Sequence, residues 1–578
     1  MYTDIFKGLV KRKLSAPWKK YYNDSDMDIK LKNISLYEQI RRTSIKYPNE
    51  IAYSYLNKEV KYKKFIKQID KASISFKVMG IRKGDIVTIC MPNTPEAIIA
   101  FYALNRIGAI ANMVHPLSSE EEIKLSLLNT NSKLLIIIDL NYNKVKNIID
   151  NTKVKKVILV SASNSMKLYM KVAYNLMNIK NHKGTLFKYK YMGWNRFMNL
   201  SLFRDKFIVS PYGKNTPAVI LSSGGTSGKP KNVVIQNRAF LLITEQERII
   251  MKDMNIGDSC LAIMPNFHGF GLAVSMHSEF ALGYKVVLVP KFDSKKFDTL
   301  LKQTQPSIVL GVPTLFEALT TSNNEPDLDL SCLKYMISGG DMLTKNLEDR
   351  INEYLENHNA HIKVSQGYGL TEALSAVCLG FREVNKSGSI GIPLPGNYVK
   401  IINPSTRKEE PFNVIGEIVI HNNALMMGYL NNESETNDAL QKHDDGYIWL
   451  HTGDLGYMDK DGFIFYKGRQ KRMIITSGYN VYPSYVEDII ESHPAVLQCT
   501  VVGQPHPYKQ EVPKAFIVLK EGFHGLFIKS EIKEYCKKNL SKYMVPYKFV
   551  YRKKLPTTKL GKVDFKVLQS DIGEDDDE

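Results

Sequence analysis

No two cysteines in this chain are spaced to share a metal ion. Cys90, Cys260, Cys332, Cys378, Cys499 and Cys536 are scattered singly along 578 residues. That excludes CxxC zinc and redox motifs and suits a reducing compartment. Long apolar runs are missing as well. The longest uncharged stretch, Ser259–Ser278, is interrupted by Pro265, Asn266, His268 and His277, so no membrane-spanning helix is expected. The opening MYTDIFKGLVKRK has no apolar core ahead of a cleavage site, so a secretory signal is not expected and a cytoplasmic setting is. Acidic residues are in deficit, 59 against 78 basic, a formal charge of +19. No nucleic-acid motif accompanies that charge, the last five residues are acidic, and the abundance of Lys, Asn, Ile and Tyr matches AT-rich coding. Nucleic acid is therefore not an expected partner, and small anionic substrates account for a basic site.

What is present is concentrated in the run LSSGGTSGKPKNVV, Leu221–Val234. Gly224, Gly225 and Gly228 permit close backbone approach, and Ser222, Ser223, Thr226 and Ser227 offer hydroxyl donors. Lys229 and Lys231 add charges suited to phosphate. Pro230 follows the Gly-Lys pair, so this is not a Walker A loop. Taken alone, such a run is equally a flexible linker. The preceding Ala218–Leu221 reads as a buried strand, which places the loop where open α/β sheets bind ligands.

The chain is long enough for three or four domain-sized units. Residues 1–34, basic and aromatic, read as an N-terminal arm. From Ser35 strand and helix patterns alternate: Ile86–Ile89, Val286–Pro290, Ser307–Leu310 and Tyr335–Ser338 read as buried strands, and Pro95–Leu104 as an amphipathic or buried helix. This predicts an α/β fold with doubly wound, pseudo-repeated sheets. Between Val399 and Ile420 the pattern turns β-rich, and after Arg469 a small α+β unit is expected. Ser165–Lys206 stands apart, with nine basic residues and one acid, Asp205, interleaved with aromatics and Met. It reads as a surface insertion packed on the N-terminal part, or as a basic helix able to touch anionic membrane.

Four further motifs follow the glycine-rich run in order: QGYGLTEA (Gln366–Ala373), LHTGDLGYMDKDGF (Leu450–Phe463), GRQKRMIITSGYNVYP (Gly468–Pro483) and LPTTKLGKVD (Leu555–Asp564). In this order the chain resembles the adenylate-forming superfamily of acyl-CoA synthetases, coumarate ligases, luciferases and peptide-synthetase adenylation domains. The resemblance covers roughly residues 35 to 570. It implies an AMP-binding domain at 35–469, a hinge at 470–471, a mobile C-terminal domain at 472–570 and an acidic tail at 571–578.

The resemblance also implies roles. ATP would be held by the loop Ser222–Lys229 with Lys231, by Gly340 and Asp341, by Tyr368 and Gly369 beside adenine, and by Asp454 and Arg469 on the ribose. Thr371 would bond the α-phosphate and Glu372 would bind Mg²⁺. Lys562 would bridge carboxylate and α-phosphate, with Lys559 as its solvent-facing neighbour. Lys471 would be the hinge, and Ser477, Gly478 and Tyr479 would meet the pantetheine arm of CoA. Asn232 and Asp564 depart from the residues usual at their positions.

His268, in MPNFHGFG, stands where amino-acid-activating relatives commonly have Asp, which favours a plain carboxylate; it is otherwise a packed histidine at a helix start. Gly339 and Gly340 leave room for an acyl group, and GVPTLFEAL (Gly311–Leu319) is expected to wall it. The expected reaction is activation of a medium- or long-chain fatty acid to acyl-adenylate and then transfer to CoA. The alternatives are an acyl carrier protein as acceptor and a non-catalytic nucleotide- or lipid-binding relative. Peripheral membrane contact stays open.

Overall fold

The computed structural model describes residues 16–177, 190–203, 216–223, 231–322, 325, 327–476, 479–558 and 562–571. β-branched runs bounded by turn residues form its central strands. Ile86–Cys90, Ile110–Met113, Leu134–Ile138, Lys156–Val160, Tyr191–Gly193 and Pro217–Ser223 lie parallel in one sheet of eight. Lys231–Gln236 and Gly428–Tyr429 close its edge antiparallel. A second sheet of nine repeats the plan. Its parallel body is Ile51–Tyr55, Lys285–Leu288, Ser259–Ala262, Ile308–Gly311, Tyr335–Ser338 and Ser365–Tyr368. The expected strands and the repeated doubly wound plan are both present.

Between the sheets runs the helix Pro95–Ile107, started by the Thr94 hydroxyl accepting from the Ala97 N–H and ended at Gly108. Twelve of its thirteen residues are buried, so it is a core helix rather than an amphipathic one. One continuous core joins it to both sheets and reaches Ile464.

A third sheet, antiparallel, holds Tyr398–Ile402, Gly416–His421, Ile448–Met458, Leu440–Lys442 and Ile464–Arg469. A fourth, with helices Pro483–Glu491 and Leu526–Asn539, forms the small C-terminal unit around its own core of Val486, Ile490, Val501, Ile517 and Ile532. Among the described residues it meets the large part through Asn346 Nδ2 donating to the Glu491 carbonyl at 3.2 Å and Ser484 Oγ donating to the Lys467 carbonyl at 2.7 Å. No helix among the described residues is long and apolar enough to cross a membrane.

Two readings need correction. The described half of the N-terminal arm is built into the fold. Trp18 is fully buried, Tyr21 packs edge-on against Phe463, and Tyr22 Oη donates to the Pro393 carbonyl. Its aromatics had a partner surface in the third sheet that the local pattern does not reveal. The basic insertion also divides. Tyr191–Gly193 is an edge strand and Phe197 packs 4.7 Å from Phe76, whereas Leu168, Tyr169 and Val172 on the helix Leu168–Met177 are exposed.

Candidate active site

The parallel strands of the nine-stranded sheet end beside one another, and several expected residues follow directly from those ends. Tyr335–Ser338 leads into Gly339-Gly340-Asp341, and Ser365–Tyr368 into Gly369-Leu370-Thr371-Glu372. Gly340 has φ +82°, a conformation costly for any side chain. A Cβ on Gly369 would lie 1.2 Å from the Ser375 carbonyl oxygen, so only glycine fits there.

Asp454 and Arg469 are register partners on the third sheet, with Arg469 Nε 3.0 Å from Asp454 Oδ1. Tyr368 Oη donates to Asp454 Oδ2 at 2.7 Å. Thr452 Oγ1 accepts from the Asp454 N–H and donates to the Ile418 carbonyl. Burial raises the Asp454 carboxyl above its ordinary range, and the Arg469 charge works against that rise. Burial and the neighbouring Asp454 charge both hold the Tyr368 phenol protonated, so it stays a donor.

Lys562 arrives from the C-terminal unit. A methyl on Gly340 would lie 3.6 Å from Lys562 Cε and 3.8 Å from Nζ. Burial lowers its ammonium pKa, Asp341 and Asp454 oppose the shift, and Arg469 adds to it.

His268 closes the site from the segment after Ser259–Ala262. Its Nδ1 accepts the Phe270 N–H at 3.2 Å, so the ring proton belongs on Nε2. Burial, reinforced by the Lys562 charge, lowers its pKa to about 4. It is thus both a packed helix-start residue and a wall of the cavity.

Glu372 and Lys231 come together as well. Tyr429 Oη donates to Glu372 Oε1 at 2.9 Å, and Lys231 Nζ lies over the Tyr429 ring and 3.2 Å from Glu435 Oε2. Glu372 Oε2 has no hydrogen bond among those described, so one oxygen can serve a cation. Among the described residues no cluster of three or more metal-ligating side chains exists. One carboxylate nevertheless fits Mg²⁺ that is carried mainly by phosphates. Ser222 and Ser223 pair with Asn232 and Lys231 across a hairpin. Gly224, Gly225, Thr226, Ser227, Gly228 and Lys229 lie outside the described residues, as do Ser477, Gly478 and Lys559. Lys471 lies in a single turn, Gln470–Arg472. Tyr479 is exposed and stacks on Tyr543 at 4.6 Å.

A largely apolar cavity opens beside His268, Gly339, Gly340 and Tyr368. Its far walls are Ile243, Glu247, Ile250, Leu310, Ile337 and Leu394. GVPTLFEAL does not line it directly: Val312 and Leu315 pack behind the lining residues, and Phe316 and Leu319 are buried in a separate core. The helix Asn237–Ile250, which supplies the wall instead, carries TEQER and reads in sequence as a solvated face. No local signal marks it. Arg472 also went unnoticed in the sequence; its guanidinium lies 3.2 Å from the Phe565 ring centroid and ties the turn at Lys471 to the C-terminal unit.

The profile of the family described as AMP-binding enzyme matches residues 40–430, and that of its C-terminal domain matches 485–562. A long-chain-fatty-acid–CoA ligase of Bacillus subtilis is 29% identical over 559 residues, 95% of this chain and 96% of that protein. A probable 4-coumarate–CoA ligase 1 of Dictyostelium discoideum is 32% identical over 458 residues, 78% and 80% respectively. The crystal structure of an anthranilate CoA ligase with anthranoyl-AMP superposes with a TM-score of 0.81 at 21% identity, covering 94% of this chain and 98% of that one; it speaks for the fold. With a family profile spanning most of the large part and a second on the small one, the chain belongs to the AMP-binding enzymes, a family of adenylate-forming acid–thiol ligases whose substrates include ATP and CoA.

Proposed function

We propose that this enzyme activates a medium- or long-chain fatty acid with ATP and passes the acyl group to CoA. The observation that carries the reading is the meeting of Lys562 with Gly340, Asp341, Asp454 and Arg469 beside an apolar cavity closed by His268. The full-length likeness to the B. subtilis fatty-acid ligase supports the acid class.

In the first step a carboxylate oxygen attacks the α-phosphorus of ATP, and the bond to pyrophosphate breaks. Both reactants are anions, so alignment and positive charge supply the rate. Lys562 places its ammonium between them. Neutral His268 donates Nε2–H to the carboxylate. Asp454 accepts the two ribose hydroxyls, with Arg469 beside it and Tyr368 along the base. Thr371 bonds the α-phosphate, and Ser222 to Lys229 with Lys231 take the β- and γ-phosphates. Glu372 would hold Mg²⁺, which neutralises phosphate charge.

In the second step the thiol sulfur attacks the acyl carbonyl and AMP leaves. Lys562 has to withdraw for this, so residues 472–570 turn about Gln470-Lys471 relative to 35–469. Ser477, Gly478 and Tyr479 then border the pantetheine arm.

Pyrophosphate release across acids from acetate to C18 and benzoate, with and without CoA, tests the reading. Fatty-acid-dependent release with acyl-CoA formation is expected. Release confined to aryl acids refutes the acid class, and adenylate that CoA cannot discharge refutes the acceptor.

A further inference from the structure

The acid cavity is apolar along its sides but not along the helix Asn237–Ile250. Gln246 and Glu247 both line it. Gln246 Nε2 donates to the Pro395 carbonyl at 2.8 Å, which fixes the amide and leaves Oε1 buried without a donor among the described residues. Glu247 is paired with Glu279, and the two are 3% and 0% exposed. All four of their carboxyl oxygens are buried and unmatched by any donor of the ordinary kind. Their polar surroundings are each other, Cys260 and Ser278. The Ser278 hydroxyl is already committed to the Ala273 carbonyl.

This group lies away from the reacting end. Cys260 sits near the start of Ser259–Ala262, whereas His268 and Gly340 lie beyond the C-terminal ends of their strands. The remaining strand rise alone is about 7 Å, at 3.3 Å per residue. Burial raises both carboxyls above their usual range, and the Glu247 charge raises Glu279 further. Even with one proton shared between the two carboxyls, their four oxygens leave acceptors in surplus. Buried acceptors without donors are costly, and a ligand that supplies donors removes that cost.

We infer that Gln246 and Glu247, with Glu279 behind Glu247, put surplus hydrogen-bond acceptors at the floor of the acid cavity, selecting carboxylic acids that bear a hydroxyl or amino group at the end remote from the carboxylate. The inference rests on the reading of this cavity as the acid site. It narrows the substrate class from plain fatty acids to distally substituted ones.

Pyrophosphate release is measured for an unsubstituted acid and for its ω-hydroxy and ω-amino forms of equal length, with cinnamic and 4-hydroxycinnamic acid as an aromatic pair. The donor-bearing member is expected to have a kcat/KM at least about 100-fold higher, because sites built around a polar partner reject analogues lacking it. A larger gain for the amine assigns the floor a net negative charge, and a larger gain for the hydroxyl assigns it a neutral one. Glu247→Gln and Glu279→Gln should each bring the ratio toward unity. Wild-type enzyme that uses unsubstituted acids as well as, or better than, their donor-bearing partners overturns the inference while leaving adenylation intact. That result needs no variant to fold. Release with none of the acids overturns both readings.

Discussion

Burial costs Lys562 part of its affinity for the proton it needs, and the carboxylates of Asp341 and Asp454 return some of it. Its function is electrostatic, so charge matters more than basicity. Lys562→Ala is expected to slow adenylation by about 10² to 10³, the cost of removing one preorganised donor. Thioester formation from supplied acyl-adenylate should change far less; equal loss in both half-reactions would contradict the assignment. A pH profile separates the two titratable walls of the site. Because Lys562 must be protonated and its pKa is lowered, kcat/KM for adenylation should fall as pH rises, at a lower pH than an ordinary lysine gives. Lys562→Arg should carry that limb upward. His268, with its pKa near 4, is neutral throughout the pH 5–8 range. Its loss should change the level of activity there, but removing it should erase no inflection near 6.5.

Among the elements, the helix Leu168–Met177 presents Leu168, Tyr169 and Val172 at 79%, 69% and 52% exposure, with Lys167 and Lys171 beside them. Apolar side chains flanked by lysines are the composition of a helix lying on an anionic surface. Peripheral membrane contact is accordingly proposed here. Co-sedimentation with anionic vesicles should fall several-fold in Leu168→Ser/Val172→Ser, and equal sedimentation of both proteins would reject it. Elements also show where local pattern ends. The strand Tyr335–Ser338 falls at its expected residues because a buried parallel strand needs an apolar run whatever surrounds it. The helix carrying Glu247 defeats the same logic. Its TEQER run looks solvated, yet Thr244, Gln246 and Glu247 are buried, because the helix is covered on the side where its polar residues point.

At the scale of the molecule, the C-terminal unit has its own core, and residues of the Gln470–Arg472 turn connect it to the larger part. A small unit with a separate core can move as a body. Proline at 471 would fix φ at the hinge position and so hinder rotation. Lys471→Pro is therefore expected to leave pyrophosphate release within about threefold while lowering acyl-CoA formation by about 100-fold or more. Single-turnover kinetics with isolated adenylate distinguishes this from a general loss of stability. Loss of both steps together would argue against the hinge.

The alternating sheet plan and the small α+β end were legible in the residues themselves, and the motif resemblance pointed to Tyr368, Asp454, Arg469 and Lys562 as candidate ATP residues. Strand runs and glycine-bearing motifs are local demands, written where they act. Tertiary structure alone decided that Trp18 enters the core, that Lys231 faces Glu435 and Tyr429, and that the cavity is walled by the helix Asn237–Ile250. It also decided that Glu247 meets Glu279, 32 positions away. Burial of a charged residue depends on what is packed over it from distant parts of the chain, and no periodicity along one segment carries that information.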